Sequence, residues 1–314
     1  MRKFSISQTH AIREYYNANG YVVIEKALPD TEIDRFLQAY ESAKRNSLFV
    51  YYSQTIHRCI RPSLTSEGFI KESIESPSRL RLFPKFASSL QKCLLHEAVS
   101  DSLSAVSGQE QHVLWQNMFF DFSPGTVEHQ DHWYLDTDPA GHLIGAWYAL
   151  EDIHEDSGCF FVLPGSHKSK PLEMSHYNSH EEVLTACMKL IEKEGYSYQK
   201  LLFNKGDLML WHPYTIHGAF GNTDPKRSRK SLTAHFYPKG MKKANRVKQP
   251  KLKATLNPKV LNSFEGSDFV WHFKKYGRYL VEHLTGNTQP VMDMKREAYN
   301  SLKADSQREK VSQR

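Results

Sequence analysis

The chain has 314 residues, a formal net charge of +6, 39% hydrophobic residues and 12% aromatic ones. This is long for one domain but within the range of a single large β-barrel with a sizeable core. No apolar run is long enough to span a bilayer. The opening Met-Arg-Lys-Phe-Ser-Ile-Ser-Gln-Thr-His contains no signal-peptide apolar region. Four cysteines, Cys59, Cys93, Cys159 and Cys187, are scattered without CxxC spacing. They predict a reduced cytoplasmic protein with free thiols rather than a disulfide scaffold. The final Val-Ser-Gln-Arg is not the peroxisomal Ser-Lys-Leu signal.

In chain order, the first hundred residues read as mainly helical. Apolar spacing from Ser7 to Tyr16 fits a helix that Asn19-Gly20 stops. Tyr21 to Ile24 is a short β-branched strand. A second helix starts at Pro29-Asp30-Thr31, with Asp30 as its expected cap and Ile33, Phe36, Leu37 and Tyr40 at helical spacing. From Val113 the pattern turns strand-like. VLWQNMFFDF (113–122) is closed by Ser123-Pro124-Gly125, and LIGAWYAL (143–150) has no polar face, as in a strand covered on both sides. CFFVL (159–163), LMLW after Gly206-Asp207, and SLTAHFY (231–237) complete the series.

Short strands with Gly and Pro turns favour a barrel or jelly roll over βαβ units. The expected organisation is one domain over 1–314. Residues 1–105 form a mainly helical N-terminal part and 106–240 a β core with a helical insertion near 175–200. Residues 241–314 form a basic linker and a helical C-terminal extension, with helices from Phe264 to Leu284 and a frayed tail after about residue 300. The linker run 239–253 (KGMKKANRVKQPKLK) carries seven basic side chains and no acidic one. Such a run suits an anionic substrate, a nucleic acid or a membrane face, but most runs of this kind are solvated linkers. No nucleic-acid-binding motif accompanies it, so no nucleic-acid partner is expected.

The chemistry concentrates at His129-Gln130-Asp131. Two imidazoles and one carboxylate are the protein ligands of the facial triad that holds non-haem Fe(II) and leaves positions open. The His-x-Asp pair can place both side chains on one metal from the end of a strand. The third ligand must come from a distant strand, and His212 and His217 are both candidates.

The surrounding text carries a resemblance. HQDHWYLDTDPAGHLIGAWYALEDIHEDSGCFFVLPGSHK, GDLMLWHPYTIHGAFGN and RSRKSLTAHF together resemble the phytanoyl-CoA dioxygenase family of Fe(II)/2-oxoglutarate oxygenases. The N-terminal NANGYVVIEKALPDTEIDRFLQAYESA is similar to that family's opening as well. The resemblance covers roughly residues 5 to 240 and implies a double-stranded β-helix (jelly roll, cupin-like) with flanking helices.

What the resemblance implies for the site is specific. His129, Asp131 and His217 hold Fe(II), His217 being chosen because the family places its ligand in the IHG segment. His212 is then a packed residue near the site. Arg229 grips the distal carboxylate of 2-oxoglutarate through the bidentate pairing that lysine cannot make. Ser231, on the same strand face, adds its hydroxyl. Trp147 lies beside this co-substrate, and Gln116 and Met118 share a strand face that lines it, with Asn117 pointing the other way. Arg227 is the surface arginine of the pair. A carboxylate at 131, where halogenases of the superfamily carry a small residue, favours hydroxylation. The implied reaction consumes O2 and 2-oxoglutarate, releases succinate and CO2, and oxidises a substrate C–H bond. The segment 132–136 is expected to line the substrate cavity or to pack as a loop on the barrel mouth. Family members act on acyl-CoAs, amino-acid-like solutes, phosphonates and natural-product scaffolds, so the substrate itself stays open. An anionic one, CoA- or phosphate-bearing, is an alternative, and a non-catalytic metal- or ligand-binding jelly roll is a second.

Overall fold

The computed structural model describes residues 1–172, 176, 177, 179–244, 249–264, 273, 276, 277, 279–281 and 284. Four helices and four short strands come first: α1 (Thr9–Asn19), β1 (Tyr21–Ile24), α2 (Asp30–Lys44), β2 (Tyr51–Ser53), β3 (Arg58–Ile60), β4 (Ile74–Glu75), α3 (Pro84–Leu94) and α4 (Glu97–Ser107). The β core follows with β5 (His112–Phe120), β6 (Thr126–His129), β7 (Thr137–Asp138), β8 (Ile144–Ala149) and β9 (Phe160–Val162). Helix α5 (His180–Glu194) interrupts it before β10 (Gln199–Leu201), β11 (Leu208–Trp211), β12 (His217–Ala219) and β13 (Ser231–Pro238). Last come β14 (Lys242–Lys243), β15 (Lys251–Ala254) and β16 (Val260–Phe264).

Among the described residues the major sheet runs β1-β11-β8-β13-β5-β4-β2-β3, with β16 added in parallel beside β5 and β15 beside β16. The minor sheet runs β10-β9-β12-β6. Together they form the jelly roll. Alternation divides each central strand between two environments. Ala146 and Tyr148 of β8, Leu232, Ala234 and Phe236 of β13, and Leu208 and Leu210 of β11 pack with helical residues such as Ile12, Phe36 and Leu90. The intervening Trp147, Met209 and Trp211 face Phe160 and Val162 of the minor sheet. This double coverage is why β8 shows no polar face. It also fixes Gly145, where a Cβ would overlap the Trp211 ring.

Several local expectations change. Asp30 does not cap α2. The capping position is Pro29 without a side-chain bond, and Asp30 lies in the first turn, where a negative charge complements the helix dipole. The N-terminal part is not all helix, since β2, β3 and β4 extend the major sheet beyond β5. They are too short to show a period in sequence. Phe264 ends a strand rather than starting a helix. The described positions between 273 and 284 are helical. The expected tail after 300, like Arg246 and Lys248 of the basic run, lies outside the described residues.

Candidate metal centre and co-substrate pocket

Strands β6 and β12 are antiparallel neighbours that set His129 and His217 directly opposite one another. Residue 131 follows two places after the end of β6, at the start of a 3-10 turn (Asp131–Trp133) that swings its carboxylate back toward both rings. Asp131 Oδ1 lies 3.6 Å from His129 Nε2 and 3.7 Å from His217 Nε2. One ligand atom from each of the three residues falls within 4.8 Å of the others.

Each donor is oriented from behind. His129 Nδ1 donates to the Val127 carbonyl and His217 Nδ1 to the Thr215 carbonyl, both at 2.9 Å. Those bonds fix the tautomer that leaves Nε2 with its lone pair toward the centre. The other carboxylate oxygen is taken. Asp131 Oδ2 accepts from Trp211 Nε1 at 2.8 Å and from His235 Nε2 at 3.2 Å. Gln116 Nε2 in turn donates to His235 Nδ1 at 3.2 Å, which keeps the His235 proton on the nitrogen facing Asp131. The middle residue of the triplet, Gln130, is a clamp. Its amide donates to the Tyr214 carbonyl and its oxygen accepts from the Leu172 N–H, pinning the turn to two loops.

The electrostatics suit a cation. Burial opposes charge on Asp131, but His217 and His235 outweigh it and hold the carboxyl well below the usual range, so it is ionised. Burial, reinforced by the neighbouring His129, pushes His217 down to about 4, so its imidazole is neutral. His129 is also opposed by burial, yet the Asp131 carboxylate draws it above its ordinary value. A proton there and a metal ion compete for the same electrostatic position, and ion binding displaces the proton. Two nitrogen donors and one oxygen donor with prepared backing groups fit a resident divalent ion.

His212, the other candidate ligand, lies outside this group. Its Nδ1 accepts from the Tyr214 N–H, its ring packs near Tyr16 and His167, and burial pushes it down to about 4.

Arg229 precedes β13 and is buried, with Nε and Nη1 unpartnered among the described residues. Its guanidinium lies 5.6 Å from the Phe120 ring centre and 5.7 Å from that of Trp147. Burial pushes its pKa down only to about 10, so it keeps its charge. Ser231 Oγ is buried and unpartnered as well. Two unpartnered N–H groups on a buried guanidinium suit bidentate pairing with a carboxylate. Arg227, by contrast, is exposed and pairs with Asp156 and Asp224. Met118 is buried opposite Thr233, and Asn117 faces the other way, toward Ser78. Gln116 meets His235. In the segment after the turn, His132 bonds Asp136, Trp133 packs toward α5, and Tyr134 is exposed with its ring against His129.

His235 and Trp211 were not singled out from sequence. The period of two from Ser231 through Thr233 puts His235 on the same face, and that signal was available. Trp211 had none, because only the β8–β11 pairing aims its indole at Asp131. Losing such a backing group typically costs roughly ten- to a hundredfold in metal affinity. We therefore expect His235→Ala to weaken Fe(II) binding by about that factor, measured by anaerobic titration, while 2-oxoglutarate affinity at saturating metal changes little.

A jelly roll with two histidines on adjacent strands, a carboxylate in the turn that follows one of them, and, among the described residues, one buried arginine defines the class of Fe(II)- and 2-oxoglutarate-dependent dioxygenases. The phytanoyl-CoA dioxygenase (PhyH) family model matches residues 16–231, and the chain belongs to that family. Human peroxisomal phytanoyl-CoA dioxygenase is 27% identical over 231 residues, covering 71% of this chain and 67% of that one. A phytanoyl-CoA dioxygenase domain-containing protein 1 homolog of Caenorhabditis elegans is 24% identical over 258 residues, covering 71% and 89%. Among solved structures, the alpha-ketoglutarate-dependent carbocyclase SnoK of nogalamycin biosynthesis superposes with a TM-score of 0.57 at 17% identity, covering 77% and 89%. The epimerase SnoN, in complex with Fe3+, alpha ketoglutarate and nogalamycin RO, gives 0.55 at 16%, covering 75% and 86%. The cofactor set of this chain is accordingly Fe(II), with 2-oxoglutarate and O2 as co-substrates. No helix among the described residues is long and apolar enough to cross a membrane.

Proposed function

We propose that this chain hydroxylates a C–H bond of a small-molecule substrate. One 2-oxoglutarate and one O2 are consumed, one oxygen atom enters the substrate, and the other leaves in succinate as CO2 is released. The observation that carries this reading is the buried, unpartnered Arg229 guanidinium beside an equally unpartnered Ser231 hydroxyl. In this reading His129 Nε2, Asp131 Oδ1 and His217 Nε2 hold the iron. Bound iron supplies the activation of O2. Arg229 and Ser231 receive the distal carboxylate of 2-oxoglutarate, and Trp147 and Phe120 wall it off from water. Excluding water there strengthens the arginine–carboxylate attraction. Trp211 and His235 keep Asp131 ionised and its second oxygen occupied, so a single carboxylate oxygen faces the centre. Gln116 acts through His235, and Met118 fills the wall beside Thr233. The carboxylate at 131 favours hydroxylation over halogen transfer, because it occupies the place a halide would take. Free cysteines at 59, 93, 159 and 187 support an intracellular setting.

The test is succinate release. Purified protein with Fe(II), 2-oxoglutarate and O2 should form succinate, and a metabolite extract containing the substrate should raise the rate. Absence of iron-dependent 2-oxoglutarate consumption under all such conditions would favour a non-catalytic jelly roll instead.

A further inference from the structure

A buried carboxylate joins the helical layer to the end of β5. Phe120, the last residue of that strand, turns its ring toward Arg229. The next residue, Asp121, points the other way, as alternation requires, and is 1% exposed. Its Oδ2 accepts from the Tyr40 hydroxyl of α2 at 2.6 Å and from the Ile70 N–H at 2.8 Å. Lys44 Nζ lies 3.9 Å from the same oxygen, and Lys230 Nζ lies 3.4 Å from Oδ1.

The same residue holds the segment that carries Arg229. The Asp121 carbonyl accepts the Arg229 N–H at 2.9 Å. On the other flank, the Glu151 carboxylate accepts from the Lys230 N–H at 2.6 Å and from the Ser228 hydroxyl at 2.9 Å. The Leu150 N–H donates to the Lys230 carbonyl at 3.1 Å. The Lys230 ammonium bridges the two carboxylates, 3.6 Å from Glu151 as well as near Asp121. The backbone around Arg229 is thus tied to the segments that end β5 and β8, while its guanidinium meets the rings of Phe120 and Trp147. A carboxylate this deep is costly unless several donors meet it. Here they come from α2, from residue 70 and from the residue after Arg229, so the helical layer and the arginine share one anion.

We propose that Asp121 is a positioning residue for 2-oxoglutarate. Its carboxylate, held by Tyr40, Ile70 and Lys230, fixes where Arg229 presents its guanidinium, and it acts through Arg229 rather than by direct contact. The inference rests on the reading of Arg229 as the receiver of the distal carboxylate.

The test separates positioning from a general loss of fold. Asp121→Asn keeps an acceptor for Tyr40 or Ile70 and removes the charge that Lys230 meets. Protein loaded with Fe(II) under nitrogen is titrated by calorimetry with 2-oxoglutarate and with 2-oxobutyrate, which has the same 2-oxo acid end and no distal carboxylate. The variant should bind 2-oxoglutarate about threefold to thirtyfold more weakly, the range for side chains that act through another. Its affinities for 2-oxobutyrate and for iron should not change. In the Arg229→Lys background the same substitution should cost little more, because residues that act as one unit are not additive. Tyr40→Phe removes one donor and keeps the ring. It should give a smaller loss with the same selectivity, and it stands in should the asparagine form fold poorly. Equal weakening of both 2-oxo acids, full additivity with Arg229→Lys, or unchanged 2-oxoglutarate affinity in the folded variant overturns the proposal. Should Arg229→Lys alone leave 2-oxoglutarate binding intact, the clamp reading falls and this inference with it. A loss there without one in Asp121→Asn overturns only the inference.

Discussion

Replacing Asp131 with alanine is expected to remove Fe(II) binding and iron-dependent 2-oxoglutarate consumption together. The substitution takes away the only anionic donor of the cluster. It also strands two buried donors, Trp211 Nε1 and His235 Nε2, that now share its second oxygen. Losing a direct ligand costs more than the roughly ten- to hundredfold that losing its backing partner costs. His129→Ala and His217→Ala should behave alike, since each supplies one of two nitrogen donors facing Asp131 Oδ1. His212→Ala is the control. It lies outside the cluster and should retain measurable iron by metal analysis after desalting. Iron lost from His212→Ala and kept by His217→Ala would reverse the assignment of the third ligand.

Arg229→Lys is expected to raise the 2-oxoglutarate concentration needed for half-maximal succinate release by about tenfold to a hundredfold, with iron affinity nearly unchanged. A bidentate charge-assisted contact is worth on the order of 1.5–3 kcal/mol, and lysine offers a point charge in its place. Nε and Nη1 of Arg229 have no partner among the described residues. The variant therefore breaks no internal bond through those two atoms, and the fold should persist. An unchanged 2-oxoglutarate dependence would place the clamp elsewhere, and the exposed Arg227, already paired with two aspartates, would be the first to examine.

The legible parts of this chain were those written in contiguous residues. The strands β5, β8, β11 and β13 could be read from apolar runs, because each is covered on both faces or bounded at one end by a Gly or Pro turn. His129 and Asp131 were legible because their spacing is local. His217 was legible by resemblance, and the pairing of β6 with β12 is what brings it opposite His129. Trp211 was not legible. Its role depends on a strand register that no single segment encodes. The strands of 2 and 3 residues at β4, β2 and β3 were missed because alternation needs more length to show. Among the described residues of the basic run, nothing in the sequence marks Lys243 apart from Lys239, Lys242, Lys251 and Lys253, and the ladder between β14 and β7 buries it.

The strand order gives the centre a place in time. β13 lies between β8 and β5, yet it is the last of the three to be synthesised. Until residues 231–238 leave the ribosome, β8 and β5 each lack a neighbour. His235 and Arg229 are absent too, the first from behind Asp131 and the second from the pocket. The nascent chain can present the three metal-facing side chains earlier, but not their full support or the arginine. Contacts so distant in sequence form late and slowly. Insertion of this one central strand thus joins β8 to β5 and brings His235 behind Asp131 as Arg229 reaches the pocket.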